Sequence, residues 1–217
     1  MKCIYCKHNK LYNITKTQVK CASCKRKFSI KKILQNENII NYFINNLTIN
    51  QCANKLNLNY ITVKNTYEKI RKNISIYLEN NYNSSKVNAY EEYVYMPKSS
   101  KNKKENIFNA KNFMCFEYEN KIFTLLMPSL LRYKEQFLDD GATEIYYKEF
   151  SKFLMFNKIS KNKKEQTLIH QFLYYFEDEI LKYKGISDDK FFYYLKEIEF
   201  KFNYSKDEQE KILLNIF

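Results

Sequence analysis

Cys3, Cys6, Cys21 and Cys24 form two Cys-x-x-Cys pairs within the first 24 residues, with 14 residues between them. A thiolate is a soft ligand, and zinc takes four such ligands in a tetrahedron that two short knuckles can close. With all four positions filled by cysteine no coordination position stays open, so the ion is structural and its removal unfolds the module. Disulfides are the competing use, and a chain expected to stay in the cytoplasm disfavours them. A redox Cys-x-x-Cys site is disfavoured too, because two pairs in a small basic module lack a thioredoxin-like context. His8 lies within the ribbon loop and is a competing ligand, disfavoured because four cysteines are present. Cys52 and Cys115 fall on apolar faces of a helix and a strand and are expected to be buried small residues.

A second group of residues has chemistry suited to nucleic acid. Lys25, Arg26 and Lys27, followed by Lys31 and Lys32, make the exit from the ribbon strongly basic. Ile39, Ile40, Phe43 and Ile44 then recur at helical spacing. Thr48 can cap a short helix carrying Ile49, Cys52, Ala53 and Leu56, and a turn at Asn57-Leu58-Asn59 leads to a longer helix with Ile61, Val63, Tyr67, Ile70 and Ile74 inward. Three helices with a tight turn between the last two match a helix-turn-helix. Early exposed positions of the third, Thr62, Lys64 and Asn65, would then face base edges, with Lys69, Arg71 and Lys72 toward phosphates. A helical hairpin that only packs is the alternative, and the basic ribbon just before it favours DNA. Tyr5, Tyr12 and Phe28 are read as ribbon core, with stacking on nucleic acid as their other use.

The elements that carry these residues change character along the chain. Asn80 to Lys86 is polar and serves as a linker. Beyond it the apolar period falls to two, giving strands at 90–96, 112–118 and 121–127, the last two joined by Glu119-Asn120. Residues 98–106 are a charged connection, 130–138 suggest a helix, 143–147 a fourth strand, and 150–156, 166–183 and 188–202 further helices. Strands first and helices last describe an α+β fold. The divisions are a ribbon over 1–34, a helix-turn-helix over 35–80 and a larger domain over 87–217.

Composition is consistent with such a protein. The chain has 217 residues, 45% of them apolar, enough for one ordinary domain and small modules. No run approaches a membrane span, the mean hydropathy is −0.61, and the opening residues lack an apolar targeting core, so a cytoplasmic location is expected. The net charge of +13 suits a polyanionic partner. It equally suits AT-rich coding, which inflates Lys, Asn, Tyr and Ile in any protein.

The chain resembles the zinc-ribbon insertion-sequence transposases of the ISXO type. The resemblance rests on Cys3-x-x-Cys6 with Val19-Lys20-Cys21-x-x-Cys24-x-x-x-Phe28-Ser29, on Asn50 to Arg71, and on Tyr183-Lys184-Gly185-Ile186-Ser187 with Tyr194 to Tyr204. It implies a zinc ribbon and helix-turn-helix followed by a ribonuclease-H-like mixed sheet with C-terminal helices, double-stranded DNA as partner, and homo-oligomers.

It also implies an Asp-Asp-Glu metal triad, and here the match fails. Tyr90 stands where the first Asp belongs, Lys148 where the second belongs, and Ile169-His170-Gln171-Phe172 replaces the pattern with the final Glu. Two-metal phosphoryl transfer needs converging carboxylates, and a lysine ammonium at the ion site would repel the metals. Catalysis is therefore expected to be lost. The rival is an active, magnesium- or manganese-dependent transposase in which Glu91, Glu149 and Glu177, or Glu179, serve after a slip in alignment. A third reading makes the aromatic C-terminal half (Phe172, Tyr174, Tyr175, Phe176, Phe191, Phe192, Tyr193, Tyr194) a surface for a partner protein.

Overall fold

Ser29 ends one element and begins another: it is the last residue of a strand, and its side chain accepts the backbone N–H of Lys31 to cap the helix that follows. The computed structural model describes residues 2–96, 110–129, 167–183 and 185–217. They divide into two units, Met1–Asn81 with Tyr204–Phe217, and Tyr82–Asn203.

The first unit starts with β1 (Leu11–Asn13), β2 (Gln18–Cys21) and β3 (Lys27–Ser29), an antiparallel sheet in that order. Side chains alternate across it, so Val19, Cys21 and Phe28 join Cys3 and Ile33 in a small core. Helix α1 (Ile30–Ile44) follows without a break. The ribbon thus ends at residue 29 rather than 34, and Ile33, counted with the ribbon by sequence, reaches its core from the helix. Next come α2 (Ile49–Leu56) and α3 (Tyr60–Asn81). Thr48 caps α2 as expected, in a reciprocal box with Gln51. Asn57 ends α2 in the left-handed region (φ 51°), and the backbone N–H of Leu58 returns to the Ala53 carbonyl, which gives the tight turn its direction. Phe43 and Tyr67 meet edge to face at 5.1 Å, and the Tyr67 hydroxyl donates to the Leu47 carbonyl.

The second unit is α+β. Its strands β4 (Val87–Tyr95), β5 (Lys111–Tyr118) and β6 (Lys121–Leu126) form an antiparallel meander in chain order. Glu119 (φ 46°) and Asn120 (φ 59°) are both left-handed, as a two-residue hairpin turn matched to strand twist requires. Helices α4 (Leu168–Ile180) and α5 (Asp188–Asn203) pack on one face over Phe113, Cys115 and Ile122. Gly185 takes the left-handed turn between them (φ 66°). Phe172, Phe176 and Phe191 are core here, which leaves them no role on a protein-docking surface.

Helix α5 also closes the edge of β6. Ile122 and Thr124 point their amides away from β5, and α5 side chains meet them. Asn203 exchanges two hydrogen bonds with Ile122, Glu199 accepts from the Thr124 N–H and hydroxyl, and Lys196 donates to the Thr124 carbonyl at 2.6 Å. Lys196 and Glu199 pair at 2.9 Å, both wholly buried, so each charge has a partner.

The chain then returns to the first unit as α6 (Lys206–Ile216), started by a Ser205–Glu208 capping box and packed on α1 and α3. The domain read as 87–217 therefore gives up its last fourteen residues to the helix-turn-helix unit. The helices expected at 130–138 and 150–156, the strand at 143–147, and Lys148 and Glu149 lie outside the described residues.

Candidate metal centre and nucleic-acid surface

The sulfurs of Cys3, Cys6, Cys21 and Cys24 all lie within 4.8 Å of one another, with Cys3–Cys24 at 3.6 Å and Cys6–Cys21 at 3.5 Å. Metal–sulfur bonds of about 2.3 Å put tetrahedral sulfurs ~3.8 Å apart, so this spacing suits one bound ion. The two knuckles are built alike. Each first cysteine accepts a backbone N–H two residues on, from Tyr5 and Ser23, both at 3.4 Å. Each second cysteine is followed by a left-handed lysine, Lys7 (φ 59°) and Lys25 (φ 60°), which turns the chain back so that the N–H groups of Cys3 and Cys21 reach the carbonyls of His8 and Arg26. The His8 N–H favours the Cys6 thiolate and brings that thiol down to about 6. Although the Arg26 N–H favours its thiolate, Cys24 is pushed up to about 11 by desolvation and the neighbouring sulfurs. Four thiols this close ionise together only when a cation neutralises them. The His8 side chain is exposed and stays outside the cluster, and Cys52 and Cys115 are buried as expected.

Charge is divided unevenly. Residues 1–36 hold ten Lys or Arg and no Asp or Glu, and the first unit carries 17 basic against 6 acidic residues. The second unit carries 20 against 18. Basic residues are nearly as dense in one unit as in the other, so the imbalance comes from the scarcity of Asp and Glu in the ribbon and helices, which lysine-rich coding does not explain.

On α3, Val63, Tyr67, Ile70 and Ile74 face inward. Thr62, Asn65, Lys69 and Lys72 form an exposed stripe on the other side, ~15 Å long at 1.5 Å per residue, while Lys64 is half-buried. Arg71 departs from expectation. It is 4% exposed, with its guanidinium 5.8 Å from the ring centres of Phe43 and Tyr67, because four residues on from Tyr67 is the inner face. It cannot reach phosphate from there. Ile61 departs the other way, at 62% exposed, since two residues before Val63 is about 200° around the helix. Ile61 and its exposed neighbour Tyr60 join the outward surface, and helical geometry alone would have shown it. Lys69 rests its ammonium 4.2 Å over the Phe217 ring, and burial with the nearby Lys32 charge lowers its pKa. Lys25, Arg26 and Lys27 are exposed, Arg26 lying 5.0 Å over the Tyr5 ring. Phe28 is ribbon core, but Tyr5 and Tyr12 are exposed.

The described carboxylates considered for catalysis each lie beside a different neighbour. Glu91 lies 3.4 Å from the His170 imidazole, exposed Glu177 accepts the Tyr93 hydroxyl, and buried Glu179 pairs with Lys182. Tyr90, at the first expected ligand position, is exposed, and Glu149 is outside the described residues. Among the described residues the four cysteines are the one group of three or more candidate ligands placed to hold a metal. No helix of the described residues is long and apolar enough to cross a membrane. No protein-family model, curated protein or solved structure matches this chain.

Proposed function

We propose that this chain is a DNA-binding protein related to the zinc-ribbon transposases, docking on double-stranded DNA through its ribbon and helix-turn-helix, with the carboxylate site of its second unit lost. The observation that carries the reading is the segregation of charge: nearly all the surplus lies in the unit that also presents the Thr62–Asn65–Lys69–Lys72 stripe. Basic side chains gain by releasing counterions from phosphates, and an exposed Asn and Thr can hydrogen-bond base edges. Four thiolates at tetrahedral spacing select zinc over harder ions. An antiparallel meander with helices on one face is compatible with the ribonuclease-H-like sheet that the resemblance implies. Tyr90 and His170, standing where the first Asp and the final Glu belong, support loss of the two-metal site.

The test is gel retardation of the zinc-loaded protein on labelled duplex from either side of its own gene and on unrelated duplex, with and without magnesium or manganese. Specific retardation without cleavage is expected. Cleavage at a defined end would restore the enzyme, and no retardation at low salt would sink the reading.

A further inference from the structure

The ribbon sheet has a second face that the metal does not use. Leu11, Val19, Cys21 and Phe28 turn toward the metal and core, so their neighbours turn away. In the register of the three strands Tyr12 stands opposite Lys20, and Lys20 opposite Lys27. Strands lie about 4.8 Å apart, so one tyrosine and two lysines form a row of positions ~10 Å wide across the sheet. Lys10 places a third ammonium 5.6 Å over the Tyr12 ring. Tyr12 is 50% exposed. Residues 1–36 supply no carboxylate to compete for these lysines.

A planar ring standing on a sheet with cations in line with it is a stacking platform. Bases inside a duplex have their faces covered by their neighbours, so such a ring can reach only a base that is unpaired and unstacked. We infer that the outer face of the ribbon sheet binds single-stranded nucleic acid, one base on Tyr12 and the adjoining phosphates on Lys20, Lys27 and Lys10. The inference rests on the nucleic-acid reading above and adds to it. While α3 takes duplex, the ribbon face takes an unpaired strand, as at a frayed or opened end.

The experiment is fluorescence anisotropy of the full zinc-loaded chain with a labelled oligothymidylate and, separately, with a duplex. Tyr12→Ala should weaken the single-strand complex roughly tenfold, as loss of one stacked base does. Tyr12→Phe should retain it, and duplex binding should change less than about twofold in either variant. Cobalt–thiolate absorption reports whether the ribbon stays intact. If Tyr12→Ala loses the metal, Tyr12→Leu, which keeps an apolar side chain without a ring, decides in its place. Unchanged single-strand affinity, or equal loss on both probes, overturns the inference, as does wild-type protein that binds duplex but not oligothymidylate. Failure on duplex with retained, Tyr12-dependent single-strand binding would overturn the duplex reading and leave this one standing. Failure on both removes both.

Discussion

The Asn73 side-chain amide donates to the Ile216 carbonyl at 2.8 Å, joining the middle of α3 to a helix 143 residues later in the chain. Lys2 to Asn215, Lys206 to Asn45 and the edge-to-face pair Tyr77–Tyr204 make the same connection elsewhere. The last helix is therefore a structural part of the helix-turn-helix unit. Leu213, wholly buried, should cost about 2–5 kcal/mol when changed to alanine, and Asn73→Ala about 1 kcal/mol. Hydrogen exchange read residue by residue should show the loss at α1 and α3 amides. Faster exchange confined to α6 would mean that the helix is only an appendage.

Removing the metal should unfold the ribbon, because its core is five residues, two of them ligands. Cys21→Ser, or a chelator, should abolish cobalt–thiolate absorption and ordered signals from residues 2–29, with β4 to β6 undisturbed. Protons compete for the same sulfurs, so metal affinity should fall as the pH drops. A ribbon that keeps its structure without metal would contradict this.

Arg71 and Lys72 are adjacent in sequence and opposite in role. Lys72→Gln should leave stability within about 0.5 kcal/mol and weaken DNA binding evenly across sequences, reducing the salt slope by about 1. Arg71→Gln should instead lower thermal stability, since it strips a buried cation from the Phe43 and Tyr67 rings. If both variants behave alike, the assignment of the two faces of α3 is wrong.

Burial raises the Glu199 carboxyl above the usual 4.5, with Lys196 and Thr124 opposing the shift. A raised value means the folded chain holds this proton more tightly than the unfolded one. The stabilisation is thus complete below pH 4.5 and is lost as the pH climbs through the higher folded value. The neutral substitute Glu199→Gln removes that dependence, so wild-type stability minus variant stability should decline as the pH rises from 4.5. Parallel denaturation profiles across that range would refute the account.

Patterns confined to a few neighbouring residues were legible before the structure. The cysteine spacing indicated a four-sulfur cluster, Thr48 a helix start, Glu119-Asn120 a hairpin, and the period-two stretches the three described strands of the second unit. What could not be read depended on the angle around a helix or on contacts across the chain. Arg71 and Ile61 were assigned by residue type, whereas their angular distance from Val63 and Tyr67 decides where they lie. Charge marks α6 as a solvated helix, and nothing local shows that Leu213 and Asn73 meet the same unit. The lysine in Lys196–Glu199 looks like a surface pair at helical spacing, and only the fold buries it against β6.

That burial has one more consequence. The outer backbone groups of Ile122 and Thr124 on β6 are already used by Asn203, Glu199 and Lys196, so a further strand cannot pair at those residues. Among the described residues, the edge of this sheet that no side chain closes in this way is Val87–Tyr95.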